Sequence, residues 1–352
     1  MKSTSIGRQA VVVGAGMAGL PAARVLADYF EQVVVLERDA LPFDVSHRTG
    51  IPQGRHTHAL LAGGQRALAD LFPGFEQDLA EAGAVPVNAG LNLRFERPGY
   101  DPFPARDLGL VVSAMSRPLI ELTVRQHVKQ RENITIREHC RALDVTASPD
   151  GAAVSAIRLE NSDGKSEALA TDLIVDASGR GHVINGVFKS VGRPYPEESV
   201  IGVDITYATA VFAVPDDAST DWKGVLLFDA PAEGGAAAVL APLERNRWIV
   251  TLVGHHGEKP PGDRDGFLAF AQQLRTRTIY DAIKTAKQLG EIVRFGFPAQ
   301  LPATLQSDRG LPPRVASVRR LDLPLQPRLW PGYECRGPGG PVTARASRAL
   351  CR

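Results

Sequence analysis

Ala10-Val11-Val12-Val13-Gly14-Ala15-Gly16-Met17-Ala18-Gly19 is the stretch that decides the fold. An apolar strand runs straight into glycines spaced Gly-x-Gly-x-x-Gly, then into a helix-like stretch, a second strand Val33 to Leu36, and Glu37. Gly14 permits the tight strand-to-helix turn, Gly16 lets the backbone approach a pyrophosphate, and Gly19 lets the helix pack on the strand. Glu37 ends the second strand, where a carboxylate accepts hydrogen bonds from an adenosine ribose. Glycine triplets also occur in ordinary turns, but the strand, helix, strand and terminal acid together read as a dinucleotide fingerprint. Pro21 fits this pattern poorly: inside the helix it loses a backbone hydrogen bond and is expected to kink the chain.

The rest of the composition narrows the class. A chain of 352 residues, 44% hydrophobic, buries a large core and is expected to form two domains. Its net charge of +1 gives no global pull toward nucleic acid or membrane surfaces. Cys140, Cys335 and Cys351 are odd in number and far apart, which argues against a disulfide framework and for a reducing cytoplasm. Lys2 and Arg8 before an apolar run imitate a signal peptide, yet the glycines and Glu37 explain those residues better. No apolar stretch is long enough to span a bilayer.

Along the chain, a basic, turn-rich loop from Leu41 to Arg55 precedes an expected helix from His58 through Leu71. Ala84 to Val112 reads as strands and irregular turns, and Ser116-Arg117-Pro118 opens another helix. Short strands follow at Ile134 to Ile136, Leu143 to Ala147, Ala152 to Leu159 and Ala168 to Ala170. The apolar strand Leu173-Ile174-Val175 then meets Asp176-Ala177-Ser178-Gly179-Arg180-Gly181, placing a carboxylate and glycines at the sheet edge where ligands of open α/β sheets bind. Ile205 to Val214, Gly224 to Phe228, Ala236 to Ala241 and Arg247 to Val253 alternate as a second, mostly antiparallel sheet. Two helical stretches follow, with Phe267, Phe270 and Leu274 on one face and Ile279, Ile283 and Ala286 on another.

Several residues admit plainer readings. His56 and His58 alternate as two metal ligands on one strand face would, but no third ligand has recognisable spacing. Arg48 and Arg55 also fit solvated loop charges, and Asp176 also fits a turn cap.

With these pieces placed, the chain resembles the FAD-dependent aromatic hydroxylase (flavoprotein monooxygenase) superfamily, especially its bacterial epoxidase-like and hydroxylase-like oxidoreductases. The resemblance rests on the glycine motif with Glu37-Arg38, on Pro52-Gln53-Gly54-Arg55-His56-Thr57-His58, on Ser116-Arg117-Pro118, and on Asp172 through Arg180; it covers about residue 8 to about residue 310. It implies an α/β fold: a Rossmann-type, glutathione-reductase-like FAD-binding domain over 1–75 and 112–195, interleaved with an antiparallel substrate domain over 76–111 and 196–300. It further implies FAD in an extended pose, with Gly14, Gly16 and Gly19 at the phosphate turn and Glu37 on the adenosine ribose. Arg38 would lie beside the adenine, Arg48, Arg55 and Arg117 along the phosphate and ribityl path, and Asp176 at a second cofactor turn. In such enzymes NAD(P)H or another donor reduces the flavin, oxygen adds to it, and the flavin hydroperoxide delivers one oxygen atom to a small organic substrate. An isoprenoid-type flavin reductase shares the fold; a halogenase is disfavoured because Trp222, Trp248 and Trp330 do not form Trp-x-Trp-x-Ile-Pro. No residue is named as catalytic acid or base.

The C-terminus departs from that family, whose sheet is completed by a Gly-Asp pair, an Asn-Pro pair and a glycine-rich turn. Leu311 to Arg352 instead carries eight arginines and seven prolines against Asp322 and Glu334, with no periodicity, and is expected to be an irregular, disordered tail. If codons for Arg319 through Val342 are chosen freely and read one nucleotide later, the string GDSICRFNPVYGQGMSVAAQEAR is permitted, very nearly the missing motif. Trp330 followed by Pro331 forces the glycine that opens its GQGM part; most other positions are permitted and not forced. The tail is therefore read as the out-of-frame product of a frameshift, or of a sequencing error, shortly after Arg314. An arginine-rich nucleic-acid arm would lack both aromatic interleaving and a basic domain behind it. The expected consequence is weak or absent FAD binding, and a non-catalytic remnant is the reading from another class.

Overall fold

The computed structural model describes residues 5–149, 153–179, 183, 186, 199–202, 204–218, 220–228, 236–296, 300–303 and 315–317. The expectations for Arg180, Gly181, Cys335, Cys351 and most of the tail fall outside these residues.

A five-stranded parallel sheet is built from β1 (Gly7–Val13), β2 (Phe30–Leu36), β6 (Ile134–Arg137), β10 (Leu173–Asp176) and β18 (Val315–Ser317), in the order β18-β10-β1-β2-β6. Its strands are apolar on both sides because both sides are covered. Ala10, Val12, Val33, Val35, Leu173 and Val175 point into a core with Leu20, Ala23, Leu119 and Val124, from α1 (Gly19–Leu26) and α4 (Arg117–Lys129). Val11, Val13, Val34, Leu36 and Ile174 point the other way, onto Val145, Ile157 and Leu159. Those belong to a three-stranded antiparallel meander of β7 (Arg141–Ala147), β8 (Val154–Glu160) and β9 (Ser166–Ala170).

A six-stranded sheet runs in the order β16-β12-β15-β14-β13-β4, formed by β4 (Leu93–Glu96), β12 (Ile205–Ala213), β13 (Gly224–Leu227), β14 (Ala237–Leu243), β15 (Arg247–His255) and β16 (Gln288–Gly296). It is antiparallel except for β4, which pairs parallel with β13. One face, including Ala208, Ala210, Phe212, Val250 and Leu252, packs on Phe267, Ala271, Ile279 and Ile283 of α5 (Arg264–Gln273) and α6 (Thr278–Ile283). Two small sheets complete the strands, β3 (Val85–Asn88) with β5 (Val111–Ala114) and β11 (Ser199–Gly202) with β17 (Gln300–Ala303).

Three local expectations change, and the loss of a hydrogen bond expected at Pro21 is observed. The helix expected from His58 is α2 (Ala62–Leu71), because the preceding residues lie extended: Thr57 N–H donates to Thr251 Oγ1 across 3.3 Å. A further helix, α3 (Phe75–Glu81), follows the Pro73-Gly74 stop, with Gly74 in the left-handed region at φ 90°. Pro21 does not end α1: Leu20 N–H donates to Gly16 O (2.9 Å) and Ala22 N–H to Ala18 O (3.3 Å), so the ladder lacks a donor at the proline and continues past it. Within the tail, Val315–Ser317 is strand β18, pairing Ile174 with Val315 and Asp176 with Ser317; three residues are too few for periodicity to show.

Candidate functional site

The C-terminal edge of the parallel sheet gathers most of the residues expected there. Gly14 has φ 101°, and a Cβ on it would stand 2.6 Å from Ala177 O. A Cβ on Gly19 would stand 1.8 Å from Gly14 O, whereas one on Gly16 would meet nothing within 4 Å. Two glycines thus close the turn internally and the third leaves its outer side open. Helix α1 starts there with no side-chain cap and no acidic residue in its first turn, so no side-chain carboxylate offsets the positive end of its dipole.

Glu37 is buried and organises the loop around that turn. Its carboxylate accepts from Ala15 N–H (3.0 Å) and Asp39 N–H (3.1 Å), and pairs with Arg48 Nη1 at 3.1 Å. Arg48, its side chain only 6% exposed, also donates from Nη2 to Ala15 O at 3.3 Å and brings Nε within 2.7 Å of Glu121 Oε1. The solvated-loop reading of Arg48 is thereby excluded. Arg38 does sit in solvent, its side chain 60% exposed, with Asp39 at 3.5 Å.

Glu121 is the residue that sequence reasoning passed over. Buried in α4, it stands 3.8 Å from Arg117 and 4.0 Å from Arg125 as well as against Arg48. A signal was present: 117, 121 and 125 follow the i, i+4 spacing of a helical charge ladder. Burial lowers the Arg125 pKa, Glu121 opposes that shift, and Arg125 also donates to Pro42 O. Ser116 caps the helix by accepting from Leu119 N–H (3.3 Å), while its own N–H donates to Glu244 Oε2 (3.0 Å), which ties α4 to the end of β14. A cleft between Ser46, Arg48, Ile51, Gly54, Arg117 and Glu121 runs beside this network.

Arg55 ends a 3₁₀ turn, Pro52–Arg55, and is exposed. It adds to the lowering of the His47 pKa, which burial begins and Arg247 also assists. Asp176 lies at the end of β10, 2% exposed, accepting from Ser178 N–H at 3.0 Å. Its partner in register on β1 is Val13, so it stands beside the glycine turn. That Asx bond makes it a turn former as well as a buried carboxylate at the site's edge.

His56 and His58 do not converge. His56 Nδ1 contacts Thr209 Oγ1 at 2.7 Å, whereas His58 Nδ1 turns back to His56 O at 2.9 Å. No helix among the described residues is long and apolar enough to cross a membrane.

The uncapped helix start, the open side of Gly16, and Glu37 with the buried Arg48 fit the adenosine and pyrophosphate half of a dinucleotide. A family model described as FAD binding domain matches residues 8–309. Protein Rv3254 of Mycobacterium tuberculosis is 30% identical over 318 residues, 82% of this chain; the match spans 62% of that relative, less than two thirds of its length. Flavin-dependent brominase Bmp2 superposes with a TM-score of 0.64 at 13% identity, covering 88% of this chain and 71% of that one. The myxobacterial chondrochloren halogenase CndH gives 0.62 at 16%, covering 91% and 70%. PqsL of Pseudomonas aeruginosa, described as a probable FAD-dependent monooxygenase, gives 0.60 at 17%, covering 88% and 78%. At such identities the likeness is one of fold.

Proposed function

The chain belongs to the FAD binding domain family of flavin monooxygenases and halogenases, and from that premise we propose an FAD-dependent oxidoreductase of monooxygenase type, oxygenating a small organic substrate by hydroxylation or epoxidation with electrons from NAD(P)H. The observation that carries this reading is the join of Glu37, Arg48 and the glycine turn at one sheet edge.

In this reading Gly16 and the start of α1 face the pyrophosphate, and Glu37 keeps acceptor capacity for the adenosine ribose. Arg38 lies beside the adenine, Arg48, Arg55 and Arg117 follow the phosphate and ribityl path, and Asp176 serves the second turn. Bound FAD would supply the redox and oxygen-activating chemistry. The chain's own work is to orient it, neutralise its phosphates and keep water out. Residues 1–75 and 112–195 form the cofactor domain in this scheme, and 76–111 with 196–300 the substrate domain.

The tail limits what this polypeptide does. We read the frame as lost beyond β18, so the donors expected from the shifted segment are missing and the chain as written binds FAD weakly or not at all. A flavin titration of this chain beside a frame-restored version tests both parts. Binding by the restored form alone supports them; a stoichiometric flavin spectrum from the chain as written refutes the loss, and no binding by either refutes the FAD reading. In the restored form, oxygen-dependent product formation supports a monooxygenase, whereas anaerobic substrate reduction supports an isoprenoid-type reductase.

A further inference from the structure

We propose that a cavity at the β4 edge of the six-stranded sheet binds a small aromatic phosphate monoester, its phosphate held by Arg94, Arg97 and Arg275 and its ring by Tyr100, Pro98 and Pro102. The site needs no flavin and shares no lining residue with the cleft beside Arg48, so the inference stands apart from the preceding reading.

The cavity lies between the end of β4 and the connection from α5 to α6, and measures about 530 Å³. Small-molecule sites occupy about 300–1,000 Å³, so there is room for an organic body beside an anionic group. Glu96 builds its floor. That residue is 4% exposed, and its carboxylate takes three donors: Thr276 Oγ1 at 2.6 Å, Thr278 Oγ1 at 2.5 Å and Arg94 Nε at 2.6 Å. With those positions used and a guanidinium beside it, the carboxylate does not present a cation site. Both threonine hydroxyls spend their protons on it, so the charged donors left to the cavity are guanidinium groups. Arg94, fixed at Nε, keeps both Nη groups without a hydrogen-bond partner among the described residues. A guanidinium held at one nitrogen and open along its other edge suits the two oxygens of an anion.

The next four residues shape one wall. Pro98 and Gly99 are the middle residues of a turn closed by Tyr100 N–H donating to Arg97 O at 3.0 Å, with Gly99 at φ 83°. Proline presets the second position of such a turn, and glycine supplies the positive φ at the third. The turn brings Tyr100 back beside Arg97, whose guanidinium lies 5.0 Å from the ring centroid. Among the described residues Arg97 meets no carboxylate, and the Tyr100 side of the wall is open, that residue being 67% exposed.

The charge balance selects the ligand. Three guanidiniums face one carboxylate across the cavity, an excess of two positive charges. Glu96 is ionised at neutral pH, because the two threonine hydroxyls and Arg94 outweigh the opposing effect of burial. A phosphate monoester carries a charge of about −1.5 to −2 and three peripheral oxygens, matching both the excess and the number of guanidiniums. A monocarboxylate would leave half of that excess unanswered. Tyr100, Pro98 and Pro102 add flat apolar surface beside the arginines, which a planar ring covers and an inorganic anion does not.

The test titrates the full chain with phenyl phosphate by calorimetry, beside phenol, inorganic phosphate and isophthalate. Phenyl phosphate is expected to bind at least about tenfold more tightly than each of the others. Arg97→Gln and Arg275→Gln, both at exposed positions, should each weaken it about tenfold or more. Tyr100→Ser should weaken phenyl phosphate and leave inorganic phosphate unchanged. No binding by wild type, no preference over inorganic phosphate or isophthalate, or unchanged phenyl phosphate affinity in the three variants would overturn the proposal. ADP affinity is measured in parallel: phenyl phosphate bound without ADP counts only against the cofactor reading, and ADP bound without phenyl phosphate only against this one.

Discussion

Gly19 stands so close to Gly14 that a Cβ on it would lie 1.8 Å from the Gly14 carbonyl oxygen, while Gly16, between them, faces open space. Gly19→Ala is therefore expected to cost about 3 kcal/mol of stability, since backbone and not a flexible side chain would have to move. Gly16→Ala should leave the thermal midpoint nearly unchanged and weaken ADP binding. Thermal unfolding and ADP titration of the two variants separate the roles; equal loss of stability in both would refute the distinction.

Glu121 compensates Arg48, Arg117 and Arg125 in a buried setting. Glu121→Gln removes the charge and keeps the shape, so denaturant unfolding should show a loss of about 3–5 kcal/mol. Adding Arg125→Met should recover part of it, because one uncompensated guanidinium is gone. Strictly additive losses would show that the two do not interact.

Acid should destabilise the protein through two identifiable groups. His56 has a folded pKa of about 4 against an ordinary 6.5, so the unfolded chain binds the extra proton and stability falls as pH drops from 6.5 to 4. For Glu96, burial alone would raise the pKa, but hydroxyls of Thr276 and Thr278 and the Arg94 guanidinium outweigh it and hold it below 4.5. That contribution is present above the ordinary carboxylate value and lost as pH falls through the lowered one. Unfolding free energies measured across this range should decline less steeply for His56→Phe in the upper part and for Glu96→Gln in the lower; parallel curves would refute the assignments.

The adenosine half and the remainder of the cofactor site should separate in binding. ADP is expected to bind the chain as written and the frame-restored chain alike, because Gly16, Glu37 and Arg48 are common to both. FAD should bind the restored chain at least about a hundredfold more tightly. Before any titration, the nucleotide sequence around residue 315 checks the frame; if the shifted reading does not encode the Gly-Asp, Asn-Pro and glycine-rich segment, the explanation of the tail fails.

Legibility followed the range of each interaction. The glycine turn, the strands on either side of it and the acid that closes the second strand lie within thirty residues of one another, and backbone freedom plus apolar runs are enough to read them. The start of α2 at Ala62 is not legible in the chain because Thr57 is bonded to Thr251, 194 residues away. β18 carries no signal in the sequence because a three-residue strand owes its existence to β10 and not to any pattern of its own. Arg55 and Arg48 look equivalent in the chain, yet one is exposed and the other buried against two carboxylates.

By itself the sequence determined the glycine turn, the alternation of the second sheet and the arginine- and proline-rich composition of the tail, since these depend on local backbone sterics, side-chain periodicity and residue content alone. Only the tertiary structure decided that Glu121 is the common partner of three arginines and that His56 meets a pair of threonines on a distant sheet. Burial and hydrogen bonding between segments depend on how layers pack, and no local pattern records which faces will meet.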